Sequence, residues 1–168
     1  MDEASPQTTA NTVREWCPDK PRRVKNTDKV KANAMGFYAV NGDPVIEFPQ
    51  RSKAEDVCGC LEAIRGANGS KHVVIILDNF RSHHSRAAAE CAASLNITLV
   101  FLPPYSPHLN PIEFIWKTIK RAVSKNRIIS REHMTSLLEE RFLQEASKTS
   151  YFAYWTTLFH EELFNIVR

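Results

Sequence analysis

Asp78 and Glu113 are the residues of this sequence whose setting best suits chemistry. Asp78 ends a continuous apolar run, Val73 to Leu77 (VVIIL), and Glu113 follows a second run, Ile97 to Leu102, after the proline-stiffened segment PPYSPHLNPI. Each carboxylate therefore sits just beyond a stretch of strand length. Two carboxylates brought together repel each other unless a cation lies between them, and hard divalent ions prefer a few carboxylates plus water and phosphate oxygens. The pair points to a magnesium site.

The elements around them decide whether they meet. Val73 to Leu77 reads as a strand buried on both faces, His84 to Leu95 is alanine-rich and helix-permissive, and Ile97 to Leu102 is again a β-branched apolar run. Strand, helix, strand makes two parallel neighbours whose ends share one edge of a sheet, where ligand and catalytic groups of open α/β sheets gather. Beyond the loop, Asn110 suits an N-cap, Pro111 the first helical position and Glu113 the third. Ile112, Ile115, Trp116, Ile119 and Val123 then recur three and four apart, an apolar stripe that docks this helix on a core. A plainer role for Glu113 is a capping box with Asn110, its side chain reaching back to the cap residue's N–H.

LDNFRSHHS followed by LPPYSPHLNPIEFIWKTIKR resembles the catalytic core of mariner-like DDE transposases and their insertion-sequence relatives. Glu113 lies 35 positions after Asp78, the interval this superfamily shows between its second and third acidic residues. Asp78, Asn79 and His83 fit the second motif, and Pro104, Tyr105, Ser106, Pro107, Leu109, Asn110, Pro111, Glu113, Trp116 and Lys120 fit the third. His108 stands where many relatives carry an acidic residue. The family's first acidic residue sits in an Asp-Glu pair followed by Arg-x-Trp, an order matched by Asp2, Glu3, Arg14 and Trp16. The resemblance implies a ribonuclease H-like mixed α/β sheet flanked by helices. It implies that Asp2, Asp78 and Glu113 are the catalytic, metal-binding residues, holding two Mg²⁺ or Mn²⁺ ions about 3.5–4 Å apart for in-line displacement at a DNA phosphodiester. The implied partners are transposon ends, target DNA and a second copy of the chain on DNA.

In that fold the first strand lies mid-sheet with the first aspartate at its end, yet the sequence starts at Met1-Asp2. We therefore expect the first central strand to be truncated and its neighbours to lose hydrogen-bonding partners, at ~1–3 kcal/mol for each buried unpaired group. The family's N-terminal helix-turn-helix modules are not in this sequence either, so the chain reads as the rear portion of a split transposase, a remnant, or a fragment with a mis-assigned start. The missing N-terminal part is then a possible separate partner.

The rest of the chain agrees with a soluble α/β domain. Its 168 residues are 43% hydrophobic and 24% charged, enough for one core, so residues 1–168 are expected to form one domain with 130–168 as a C-terminal helical extension. No apolar run approaches a membrane span and the start MDEASPQTT does not resemble a signal peptide, so a cytoplasmic, nucleoid-associated protein is expected. Cys17, Cys58, Cys60 and Cys91 have no zinc-like spacing and read as reduced thiols. The net charge of +3 is unevenly spread: Lys20 to Lys31 holds six basic residues against one acidic, and Phe114 to Arg131 six against none. Such stripes suit a phosphate backbone, although a solvated basic face has the same composition.

Further expectations are a hairpin from Val30 to Phe48 turning at Asn41-Gly42, a helix from Ser52 to Ile64 capped by Ser52, and a helix capped by Ser130. A last helix should carry Phe152, Trp155, Phe159 and Leu163 on one face. His83 and His84 lie near the metal edge and suit loop orientation or a phosphate contact better than ligation. The rival to a DNA-cleaving enzyme is an inactive remnant acting as a DNA-binding or dimerisation module. A host ribonuclease H-like nuclease fits the PPYSPHLNPIE loop less well.

Overall fold

A computed structural model of the chain describes residues 1–9, 18, 26, 28–51, 53–80 and 82–157. Strand β1 (Asp2–Ala4) pairs antiparallel with β2 (Ala34–Phe37), which pairs antiparallel with β3 (Val45–Glu47). Helix α1 (Ala54–Asn68) leads to β4 (Val73–Leu77), then helix α2 (Arg86–Ser94) and β5 (Ile97–Phe101), with β4 and β5 parallel and in the expected register of neighbours. A single 3₁₀ turn, Pro107–Leu109, precedes α3 (Ile112–Lys125), and α4 (Arg131–Ala146) follows. Arg14, Trp16, Cys17, Ser52, Phe159 and Leu163 fall outside the described residues.

Strand β1 forms and is three residues long. Asp2, Glu3 and Ala4 face Gly36, Met35 and Ala34, and the Met1 amine donates to the Ile76 carbonyl at 2.6 Å. That bond joins the antiparallel and parallel halves, which otherwise form separate sheets. The expected loss of partners does not reach β2, which keeps ladders to both β1 and β3.

Two cores lie on opposite faces of β2, as the alternation of a strand requires. Ala34 and Tyr38 pack with Ile112, Ile115, Trp116, Ile119, Leu138 and Phe142 of α3 and α4, while Met35 and Phe37 pack with Val57, Leu61, Ile64 and Ile75 on the α1 and α2 side. All five residues of the α3 stripe are buried, so the periodicity located that face correctly. Ser85 caps α2 through the Ala88 N–H at 3.2 Å, and Ser130 caps α4 through the His133 N–H at 3.1 Å.

Three expectations change. β4 is buried on one face only: Ile75 and Leu77 are buried, but Val74 is 56% exposed and borders an open cavity between β4 and the start of α3. The hairpin pairing stops at Phe37 opposite Val45, so the connection is longer than a two-residue turn. Asn68, at the end of α1, ties that loop down by accepting from the Asp43 N–H at 2.9 Å and donating to the Asp43 carbonyl at 3.1 Å. Helix α1 begins at Ala54, and the backbone N–H of Lys53 donates to Asp56 at 2.9 Å.

Gly36 sits opposite Asp2 where the sheet meets the aromatic pair Trp116 and Phe142, whose rings lie 5.4 Å apart. A Cβ there would stand 2.8 Å from both side chains. Because α3 carries Glu113, this contact sets how closely that helix approaches the strand bearing Asp2. Gly36→Ala is expected to overpack the seam and destabilise by about 1–3 kcal/mol. A melting temperature unchanged from wild type would contradict this packing.

Candidate active site

Asp78 emerges from β4 and turns at once. Its Oδ1 accepts the Phe80 N–H at 3.1 Å and lies 3.0 Å from His83 Nδ1, and its Oδ2 has no hydrogen bond among the described residues. Asn79 donates to the Leu102 carbonyl, and the Leu102 N–H donates to the Leu77 carbonyl at 2.9 Å, so the exits of β4 and β5 are held side by side. His84 orients Asn79, its Nε2 lying 2.9 Å from Asn79 Oδ1 while its ring stacks on Phe101 at 4.0 Å.

His83 is the pivot of this edge. It is 1% exposed and lies between two carboxylates, with Nε2 3.3 Å from Glu3 Oε1 and Nδ1 3.0 Å from Asp78 Oδ1. The distances are those of ion pairs, although the angles fall short of hydrogen-bond geometry. Burial opposes a charge on the imidazole, but Asp78 and Glu3 outweigh it and raise its pKa to about 9. His83 in turn holds the Asp78 carboxyl below its ordinary value, burial working the other way. His83 thus lies against Asp78 and Glu3, where the sequence suggests loop orientation or a phosphate contact. What the sequence missed is Glu3: next to Asp2 on a strand, its side chain takes the opposite face and meets His83.

Glu113 stands in the first turn of α3, where the helix dipole favours an anion. The helix starts one residue later than the sequence suggests, with Pro111 in the cap position at φ −61° and no side-chain cap. The Glu113 N–H donates to the Asn110 carbonyl at 3.1 Å, a tightened 3₁₀ first turn. No capping box forms, and the Glu113 carboxylate accepts no hydrogen bond among the described residues. The capping role is therefore not the one this side chain plays.

Asp78 and Glu113 line one cavity of about 430 Å³ with Phe80, Tyr105 and Asn110. Asp2 is not among its lining residues, but it is 6% exposed and close enough to feel both. Burial first, then Glu113 and Asp78, push its pKa up to about 7, against the Glu3 N–H. Among the described residues no three His, Cys, Asp or Glu side chains stand in metal-holding geometry. The donor set still fits a hard divalent cation: three carboxylates on three separate elements, one of them raised to about 7 by burial and by the charges of the other two.

The helix that carries Glu113 and the segment after it are basic. Lys117, Lys120, Arg121, Lys125, Arg127 and Arg131 are all exposed. Asn26 is tied to the end of α3, donating to the Asn126 carbonyl at 3.0 Å and accepting the Ile128 N–H at 2.8 Å. Lys29 and Lys31 are exposed, and residues 19–25 and 27 are outside the described set.

These features, an acidic edge at the ends of two parallel strands with a third carboxylate on β1 of the antiparallel sheet beside it, are those of a DDE-type endonuclease. The family described as DDE superfamily endonuclease matches residues 1–135, and the chain belongs to it. A relative from Sinorhizobium fredii (strain NBRC 101917 / NGR234), the uncharacterized protein y4pE/y4sA, is 39% identical over 64 residues, covering 38% of this chain and 45% of that one. The Mos1 strand transfer complex is similar in fold at a TM-score of 0.62, with 20% identity over 92% of this chain and 51% of that one. The Mos1 mariner paired end complex with Mn gives a TM-score of 0.66 with 19% identity over 94% of this chain and 51% of that one. The catalytic domain of Mos1 mariner transposase gives 0.61 with 19% identity over 94% of this chain and 76% of that one. The chain spans about half the length of the relative and of the Mos1 chains in those complexes. No helix among the described residues is long and apolar enough to cross a membrane.

Asp2 and His83 titrate with one sign, and the Met1 amine, which burial lowers to about 6, opposes them between about pH 6 and pH 8. Asp2 binds its proton more tightly folded than unfolded, so its contribution to stability falls as pH rises from about 3.8 to about 7. His83 stabilises fully below its ordinary value of 6.5, and that contribution is lost as pH rises through about 9. Metal-free melting temperature should therefore decline from mildly acidic pH to about 6, level off while the Met1 amine offsets His83 up to about pH 8, and fall again to about 9, and His83→Gln should remove that last fall. A variant with the wild-type slope above pH 7 would remove the ion-pair role of His83.

Proposed function

We propose that this chain is the catalytic part of a transposase and cleaves DNA strands with Asp2, Asp78 and Glu113 as ligands for two Mg²⁺ or Mn²⁺ ions. The observation that carries the reading is the Asp78–Glu113 cavity at the sheet edge, with the Glu113 carboxylate unbonded and Asp2 held near neutrality beside it. Bound there, the ions would activate water or a freed 3′-hydroxyl and stabilise the leaving oxygen of the phosphodiester. Asp78 is pre-aimed by His83 and the Phe80 N–H, so Oδ2 is available as a donor. Glu113 is held by a helix whose apolar face is wholly buried, which fixes where its carboxylate stands. Asp2 would release its proton as the cation arrives.

DNA as partner is supported by the basic surface of α3 and the segment after it and by the Mos1 relatives, described as a strand transfer complex and paired end complexes. Divalent metals are supported by the Mos1 structures with Mn and with Mg. Transposon ends and target DNA are the substrates we assign, with two copies acting together on DNA.

Nicking of supercoiled plasmid in Mn²⁺ or Mg²⁺ tests the assignment without knowledge of the terminal repeats. Asp78→Asn and Glu113→Gln are expected to lower nicking by at least about 100-fold, on the scale of removing metal-held transition-state stabilisation. DNA affinity should stay near wild type, because the basic surface is untouched. Full nicking by either variant would refute the site. Nicking by none of the proteins, with plasmid binding kept, would favour a DNA-binding remnant.

A further inference from the structure

The loop joining β5 to α3 holds an aromatic residue in a conformation such residues rarely adopt. Tyr105 has φ 59°, in the left-handed region where a bulky L side chain crowds its own backbone, and its ring is 100% exposed. No ring contact among the described residues accounts for it. The loop is nonetheless stiff. Pro103, Pro104 and Pro107 preset their φ angles, Leu109 is buried, and the Leu109 carbonyl accepts from Trp155 Nε1 at 2.6 Å. A strained residue on a rigid loop, with an exposed ring that makes no ring contact among the described residues, is an outlier that calls for a function.

Its position supplies one. Tyr105 lines the same cavity as Asp78 and Glu113, and so does Phe80, itself 47% exposed where the chain leaves β4. Two exposed rings thus border the two carboxylates, one from each strand exit.

We propose that Tyr105, with Phe80, is a stacking platform for an unstacked nucleobase next to the phosphodiester held at Asp78 and Glu113. The inference rests on the DNA-cleavage reading above and goes beyond it by naming what grips the strand. Every base presents a π face, so such a platform holds a strand in place with little regard to sequence, while the ribbon of exposed lysines and arginines tracks the phosphates. A base withdrawn from its stack also frees the adjoining phosphate to reach carboxylates set at a sheet edge. The ring, not the hydroxyl, carries the effect.

The probe is a single-stranded oligothymidylate bearing one 2-aminopurine, read by quenching of its emission in Mg²⁺. Wild type and Tyr105→Phe are expected to quench alike. Tyr105→Gly and Tyr105→Asn accept a positive φ without strain, so they should fold as well as wild type. They are expected to lose most of the quenching at saturation and to bind roughly fivefold or more weakly. Quenching retained by the Gly and Asn variants, lost equally by Tyr105→Phe, or absent from wild type would overturn the platform. The underlying reading is judged separately by wild-type plasmid nicking in Mn²⁺. Nicking without Tyr105-dependent quenching sinks the platform alone, and quenching without nicking sinks the catalytic reading alone.

Discussion

Like charges at one sheet edge set the terms for the rest of this structure. Burial, and then the charges of Glu113 and Asp78, drive the Asp2 carboxyl up to about 7. Nothing in the immediate chain relieves this by neutralising all three. The carboxylates are instead mounted on elements anchored independently: β1 by its ladder to β2, β4 by its ladder to β5, and α3 by a fully buried stripe. Folding energy from those anchors holds together groups that would otherwise move apart.

The alternation of a strand divides labour between two adjacent acids. Asp2 belongs to the face where α3 packs, whereas Glu3 takes the face of α2's approach and meets His83. His83 thereby connects β1 to the exit of β4 across the seam where the sheet ladder is interrupted, alongside the Met1 bond to Ile76. An imidazolium buried between two carboxylates is stable only while both partners stay, so this link makes the position of Asp78 depend on β1.

The unit from Val73 to Leu102 was legible because apolar runs and turn residues report local structure, and the parallel register followed from handedness and connection length. Glu113 was legible from its proline-rich approach, and the stripe behind it from helical spacing. Asp2 could be singled out only through the family resemblance, since nothing in MDEASP marks a strand end. One-sided burial of β4 was not legible, because an apolar run does not say which helices will cover it. Nor were the Glu3–His83 pair, the Asn68 clamp on the hairpin loop and the left-handed Tyr105, which arise from tertiary contacts or from backbone angles that residue types alone do not encode.

The most direct test of the carboxylate site is the rise in melting temperature produced by Mn²⁺, followed from pH 5 to pH 9. A cation that must displace the Asp2 proton stabilises weakly at pH 5 and increasingly as pH passes about 7, since a ligand bound only by the folded state adds to its stability. Glu113→Gln should show little of this rise at any pH. An equal rise in Glu113→Gln, or none in wild type across the whole range, would contradict a metal site built from these three residues.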